Sequence, residues 1–399
     1  MEDFDIFKDI TILSLEQATV LPYLTYRLAL EGATVIRIEH PIYGDPNRRV
    51  GENRLGEDRM FTYFLAINCQ KKAVTLNLGT PEGQDVFRKL LVELKVDVFA
   101  TNQLPKNYGK LGIDYETVRS IKPDIIWVGL TGFGPESNEA AYDPILQARG
   151  GLMDLTGDRD GPPCVLGVPL PDMGASEHAY GLVMKALFKR ALTMEGARID
   201  LSMFQSTVSW LTVPITQARS FAKPMSRHGN THEFFAPVSV YKTKDGYVYI
   251  AVGNDIQWER MLRIGGFGCL AKPEYARNEG RIKDVENLNG AIEKITKNYT
   301  TSELIQVFTE ATVPISRVNT IKEVIEDPYV KNEILSSTDK TTGVTIYLAP
   351  PPVTSGYVRS LNRHLTFPPR FGEHNDEIYC SALGYTQEYI DELRAKGVV

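Results

Sequence analysis

Cysteine is scarce in this chain: four residues, Cys69, Cys164, Cys269 and Cys380, in 399, with no CxxC pair among them. Such spacing offers neither a disulfide framework nor a thiolate metal site, and reads as reduced, mostly buried thiols of a cytoplasmic protein. Histidine is scarce too. Of six, only His228 and His232 stand at i, i+4, and Gly229 and Asn230 between them break a helix. No acidic or cysteine partner completes a ligand set, so no metal is expected. No uninterrupted apolar stretch approaches the ~18 residues a membrane span needs. The opening MEDFDIFKDI is acidic and lacks the regions of a signal peptide. Basic excess is absent as well. A net charge of -6 and a pI near 5.7 give no case for nucleic acid as a bulk partner. Finally, no GxGxxG follows the first strand, where the sequence reads EQATVLP, and Gly265–Gly266–Phe267–Gly268 has the wrong spacing. A nicotinamide or flavin dinucleotide is therefore not expected. Glu39, an acid ending the second strand, would suit a ribose hydroxyl, but alone it is a weak signal.

What is present is strand–helix alternation. ITIL (10–13), ATVIRIE (33–39), AVTLNL (73–78), VDVFA (96–100) and DIIWVGLTG (124–132) read as strands. Helices are predicted over 21–32, near 114–121 and over 80–94, the last with Thr80 as N-cap and Pro81 at the first helical position. This alternation predicts an α/β fold around a parallel, doubly wound sheet, which binds ligands at the carboxyl ends of its strands. From 225 to 330 the pattern changes to a hairpin around Lys244–Asp245–Gly246 and amphipathic helices near 256–264, 286–299 and 301–311. That is a smaller α+β domain. A final helix is predicted over 386–396.

One stretch asks a chemical question. VPLPDMGASEHAYGLVMKAL (168–187) sets Asp172 at the mouth of a helix, followed by Gly174, Ala175, Ser176 and Ala179. Asp172 reads either as an N-cap or as a nucleophile, with small neighbours where something large must approach.

Several segments in order settle that choice by likeness. GATVIRIEHP (32–41), KKAVTLNLGTPEG (71–83), LTGFGPES (130–137), the stretch 161–190 around Asp172, ARIDLSMFQS (197–206), RHGN, DGYVYIAVGNDIQW, VPISRVNTIKEVIEDPYV and GEHNDEIYCSALGY resemble the class III coenzyme A transferases, the formyl-CoA and carnitine CoA-transferase group. The resemblance runs nearly end to end. It implies a Rossmann-like large domain over 1–206 completed by 361–399, linkers over 207–224 and 331–360, a small domain over 225–330, and a dimer of interlocked rings. It implies no permanently bound cofactor, since coenzyme A thioesters are the substrates. Asp172 matches the family's covalent nucleophile, and Gly174 beside it would leave room for the thioester. A carboxylate is required because the reaction passes through an anhydride and an aspartyl-CoA thioester, and the helix N-terminus favours its charge and offers N–H groups to oxyanions.

The same resemblance lines the substrate site with Thr19, Tyr142 and Asp143. It assigns coenzyme A contacts to Gln17, His40, Leu76, Asn102 and Lys110. Gly79 replaces a lysine often found before TPEG, and Asn102–Gln103–Leu104–Pro105–Lys106 replaces an NFRPG segment, so Lys71, Lys72 or Lys106 is expected to supply the phosphate charge. The related α-methylacyl-CoA racemases carry a histidine where this chain has Tyr142, which leaves racemisation one base short. A non-catalytic partner subunit is the other alternative, against which Asp172 is intact. The partners implied are an acyl-CoA and a carboxylic acid, in a homodimer or with a related subunit. Arg149 in QARGG, with EQATVLPYL, leans towards a dicarboxylate such as benzylsuccinate with succinyl-CoA as donor.

Overall fold

The computed structural model describes residues 7–399, which fold as two compact units. The first comprises the chain up to Gly151, Leu166–Val213 and Tyr329–Val399; the second comprises Leu152–Val165 and Pro214–Pro328.

The first unit is built on six parallel strands: β1 (Thr11–Leu15), β2 (Thr34–Glu39), β3 (Lys71–Thr75), β4 (Val98–Thr101), β5 (Ile126–Thr131) and β6 (Ala197–Ser202). Their spatial order is β3-β2-β1-β4-β5-β6. Leu13 lies in register with Ile36 on one side and Phe99 on the other. Both faces of the sheet are covered, which is why its strands read as apolar runs. On one face Leu13, Ile36, Phe99 and Trp127 meet the helix Pro81–Glu93 and the tail residues Tyr379, Leu393 and Val398. On the other, Ile12, Val35 and Val128 meet the helices Val20–Ala29 and Leu170–Thr193. Thr80 caps the helix Pro81–Glu93 by accepting from the Gly83 N–H.

β3 is an edge strand, and the tail closes it. His374 N–H donates to the Ala73 carbonyl at 3.0 Å, and Thr75 N–H donates to Asn375 Oδ1 at 2.9 Å. The Tyr379 hydroxyl donates to the Thr75 carbonyl at 2.7 Å, and Asn77 N–H to the Val398 carbonyl at 2.7 Å.

The second unit pairs β7 (Val238–Lys242), β8 (Tyr247–Ala251) and β9 (Ile315–Arg317) antiparallel around a core of Trp258, Phe267, Leu288 and Phe308. The hairpin turn is at 243–246, where the sequence placed it.

Several expectations need correction. Residues 331–360, expected as a linker, form β10 (Leu335–Thr338), β11 (Thr345–Leu348) and a helix at Gly356–Ser360; with β12 (His364–Leu365) they make a small sheet. Leu335, Leu348 and Val358 pack on Tyr26 and Leu30 of the first unit, an apolar face that proline-rich composition concealed. Residues 207–224, expected as the other linker, are largely helical, in Met203–Ser209 and Thr212–Phe221. Residues 152–165 fall in the second unit rather than the large domain. Of the thiols, Cys69 is buried but Cys164 and Cys269 are exposed. No helix among the described residues is long and apolar enough to cross a membrane.

Candidate active site

In the order β3-β2-β1-β4-β5-β6, chain direction across the sheet reverses between β1 and β4. Loops leaving neighbouring strands there splay to opposite faces and open a crevice at the carboxyl ends. A cleft of about 320 Å³ lies in that place, lined by Gln17 and Thr19 after β1, Asn102 after β4, Thr131 at the end of β5, and Tyr142 and Asp172.

Asp172 does not cap its helix. Leu170 and Pro171 precede it in the first turn, and Pro169 holds the N-cap position with no side-chain bond. The acid is thus half-buried inside the turn, facing the cleft. Burial pushes its carboxyl up to about 7, and the negative charge of Asp143 adds to the rise. Desolvation here outweighs the helix terminus, which on its own favours the anion. Asp143, itself buried, accepts the Asp172 backbone N–H on Oδ2 at 3.2 Å and the Gln147 amide on Oδ1 at 2.6 Å. Gln147 in turn accepts the Leu166 N–H at 2.9 Å, tying the approach to the helix. The first-turn donors expected to meet oxyanions are therefore occupied: Leu170 N–H goes to the Val168 carbonyl, Pro171 has none, and Asp172 N–H goes to Asp143.

The small residues after Asp172 have structural employment. A Cβ on Gly174 would stand 3.0 Å from the Trp210 indole nitrogen, so the glycine makes room for that ring. Ala175 and Ala179 are fully buried against the helix Val20–Ala29, and the Ser176 hydroxyl donates to the Val20 carbonyl. Trp210 also stacks on His178, with ring centroids 5.0 Å apart.

Tyr142 is 73% exposed at the start of the helix Asp143–Arg149. Beside it Glu139 lines the cleft and accepts from Arg149 Nη1 on both oxygens, at 2.8 and 2.9 Å. Arg149 lies 4.3 Å over the Phe133 ring. Glu139 was missed in the sequence because nothing local marks it; only the fold brings it to the cleft wall.

The expected coenzyme A contacts divide. Gln17 and Asn102 line the cleft, but the Asn102 amide is spent on Gln17: its Oδ1 accepts the Gln17 N–H at 3.1 Å and its Nδ2 donates to the Gln17 carbonyl at 2.8 Å. Leu76 is 1% exposed in the core beneath β3 and cannot wall an adenine site. Lys71 is buried as well. Its Nζ donates to Glu16 at 2.9 Å and to the Pro22 carbonyl at 2.7 Å, so it neutralises a buried acid and meets no phosphate. Lys72 pairs with Glu377. Glu39 is likewise consumed, held by Arg48 at 2.6 and 2.7 Å, and is closed to a ribose. His40 is half-buried away from the cleft lining, its Nδ1 accepting from Ile42 N–H and its ring against Tyr43. Burial lowers its pKa, so it presents a neutral ring at pH 7. Lys110 is exposed, three positions beyond the cleft-lining Asn107 and outside the lining itself.

The sequence matches the family described as CoA-transferase family III over residues 7–375. Human succinyl-CoA:glutarate CoA-transferase is 30% identical over 404 residues, covering 100% of this chain and 91% of that protein. A succinate–glutarate CoA-transferase of Agrobacterium fabrum is 32% identical over 330 residues, covering 81% of this chain and 82% of its own. Among solved structures, a CAIB/BAIF family protein from Brucella suis superposes with a TM-score of 0.80 at 29% identity, over 94% of this chain and 98% of that one.

Proposed function

Because the chain belongs to CoA-transferase family III, we propose that it moves coenzyme A from an acyl-CoA donor to a free carboxylic acid, with Asp172 as the covalent nucleophile. The observation that carries this reading is the Asp172 carboxyl in the cleft at the sheet's reversal point, its backbone held by Asp143. An Asp172 oxygen attacks the donor's thioester carbon; the C–S bond breaks and the thiolate leaves an acyl-aspartyl anhydride. The thiolate then attacks the aspartyl carbonyl, releasing the donor acid and leaving an aspartyl-CoA thioester. The acceptor carboxylate repeats both steps in reverse order, so Asp172 ends as it began and no net proton or electron is consumed.

The acids we assign are dicarboxylates, with succinyl-CoA as donor. The relatives' names support that class, as does Arg149, whose guanidinium holds the carboxylate of the cleft-lining Glu139. The purified chain, mixed with a panel of acyl-CoA donors and free acids and read by mass spectrometry, should exchange coenzyme A most rapidly between succinate and other dicarboxylates. Exchange confined to monocarboxylates would remove the assignment; absence of any exchange would remove the reaction.

Lys110 is the cation we assign to the 3′-phosphate, on its exposure next to the wall formed by Asn107. Lys110→Ala should weaken coenzyme A by about 1–3 kcal/mol, the range of a charge-assisted hydrogen bond. Dephospho-CoA should be unaffected, and equal losses for both ligands in calorimetry would place Lys110 elsewhere.

A further inference from the structure

The turn that carries Gln17 and Thr19 into the cleft has an unusual backbone. Ala18 between them has φ of 62°, the left-handed region, without being glycine. For an alanine this costs on the order of 1 kcal/mol and persists only where the surroundings impose it. Here they do. The four backbone polar groups of Gln17 and Ala18 are each held by a side chain from another loop. Asn102 takes both from Gln17. Asp45 Oδ1 accepts the Ala18 N–H at 3.0 Å, and Asn47 Nδ2 donates to the Ala18 carbonyl at 2.6 Å. Asp45 is itself fixed from below: its Oδ2 accepts from Arg37 Nη2 at 2.6 Å, and its own N–H donates to Glu39. Asp45 and Asn47 are 3% and 8% exposed, so neither is placed to touch a ligand.

We propose that Asp45 and Asn47 are positioning residues, which hold Ala18 left-handed so that Gln17 and Thr19 present a ready-made wall to the acyl-CoA. The role rests on the transferase reading for its ligand, whereas the grip itself does not. A rigid turn spares the ligand the cost of ordering it, so loss of the grip falls on binding and leaves the covalent steps at Asp172 intact. Asn47 is the cleaner probe, because it carries no charge and its removal leaves the Arg37–Asp45 pair in place.

Two measurements separate the grip from the reaction. Hydrogen exchange of the full chain should show the segment 16–20 exchanging at least about tenfold faster in Asn47→Ala and Asp45→Ala, the equivalent of one lost hydrogen bond. With succinyl-CoA as donor, Asn47→Ala should raise KM about tenfold and change kcat by less than about threefold, as when binding common to ground and transition states is lost. Ala18→Gly added to Asn47→Ala should recover part of the KM, since glycine adopts the left-handed region without steric cost. Unchanged exchange at 16–20 in both variants overturns the grip, whatever the enzyme catalyses. Faster exchange with an unaltered KM overturns its role in binding. A wild-type chain that protects 16–20 but exchanges no coenzyme A instead counts against the transferase reading alone.

Discussion

Asp172→Ala and Asp172→Asn should each abolish transfer, by about 10⁴-fold or more in kcat, the scale on which removal of a covalent nucleophile acts. Acyl-CoA should still bind. Wild-type protein given acyl-CoA without acceptor should accumulate the aspartyl thioester, so hydroxylamine should inactivate it only after that addition, through a hydroxamate on the fragment VPLPDMGASEHAYG. Modification elsewhere would sink the mechanism. Because burial lifts the Asp172 carboxyl to about 7, kcat/KM should rise with pH through that value as the nucleophile ionises. The stability change runs the other way. A carboxyl whose pKa is raised on folding holds a proton that the unfolded chain releases above about 4, so the native state loses stability between pH 4 and 7. Asp172→Asn removes that cost. It should unfold later than wild type at pH 8, by about 2–4 kcal/mol, with the difference vanishing near pH 4. A variant no more stable than wild type at pH 8 would show that burial does not raise the Asp172 carboxyl.

Lys71→Met should come next in size, and its effect should be on folding. The Lys71 ammonium and the Glu16 carboxylate are both fully buried, 2.9 Å apart, in a cluster where Arg37, Arg48 and Lys71 balance Glu16, Glu39 and Asp45. Burial works against the Glu16 anion, but Lys71 and Arg37 more than offset it and keep the group below its usual range. Removing one partner leaves an uncompensated charge in the interior, at about 3–5 kcal/mol. Chemical denaturation should show that loss, while the folded fraction binds coenzyme A as before. The converse, a stable fold with weakened coenzyme A, would return Lys71 to the phosphates. Glu16→Gln combined with Lys71→Met should recover much of the stability, because no orphan charge then remains.

Lys71 shows why part of the site was illegible. In KKAVTLNL it looks like a surface cation at a strand start, and its burial depends on Glu16, 55 positions earlier. Pairings of that kind leave no local trace. Leu76 misled similarly: its apolar side chain suits an adenine as well as a core, and only the tail packed on it decides. The glycine and alanines after Asp172 could serve a ligand or the protein's own packing, and Trp210 and the helix Val20–Ala29 supply the second reason. What could be read was periodic or opposed by nothing nearby. The parallel strands are buried on both faces and so stand out as apolar runs; β6 escaped because its pattern, ARIDLS, alternates with charges at Arg198 and Asp200. Gln17, Thr19, Asn102, Tyr142 and Asp172 line the same cleft, the first three on loops that leave the ends of β1 and β4. The left-handed Ala18 could not be foreseen, since no glycine marks it.

The closed edge of β3 constrains how the chain can fold. Its outward carbonyl and N–H groups find partners at His374, Asn375 and Tyr379, the Thr75–Asn375 bond spanning 300 positions. A nascent chain can assemble the first strands long before those partners exist, and it then carries an open strand edge, which is a template for pairing with other chains. Contacts of such long range also slow the search for the native state, because loop closure must precede any gain from them. The last strand edge to be sealed is thus the one nearest Lys72, whose charge, with that of Lys71 before its burial, is the kind of residue that discourages edge-to-edge association while the tail is still to come.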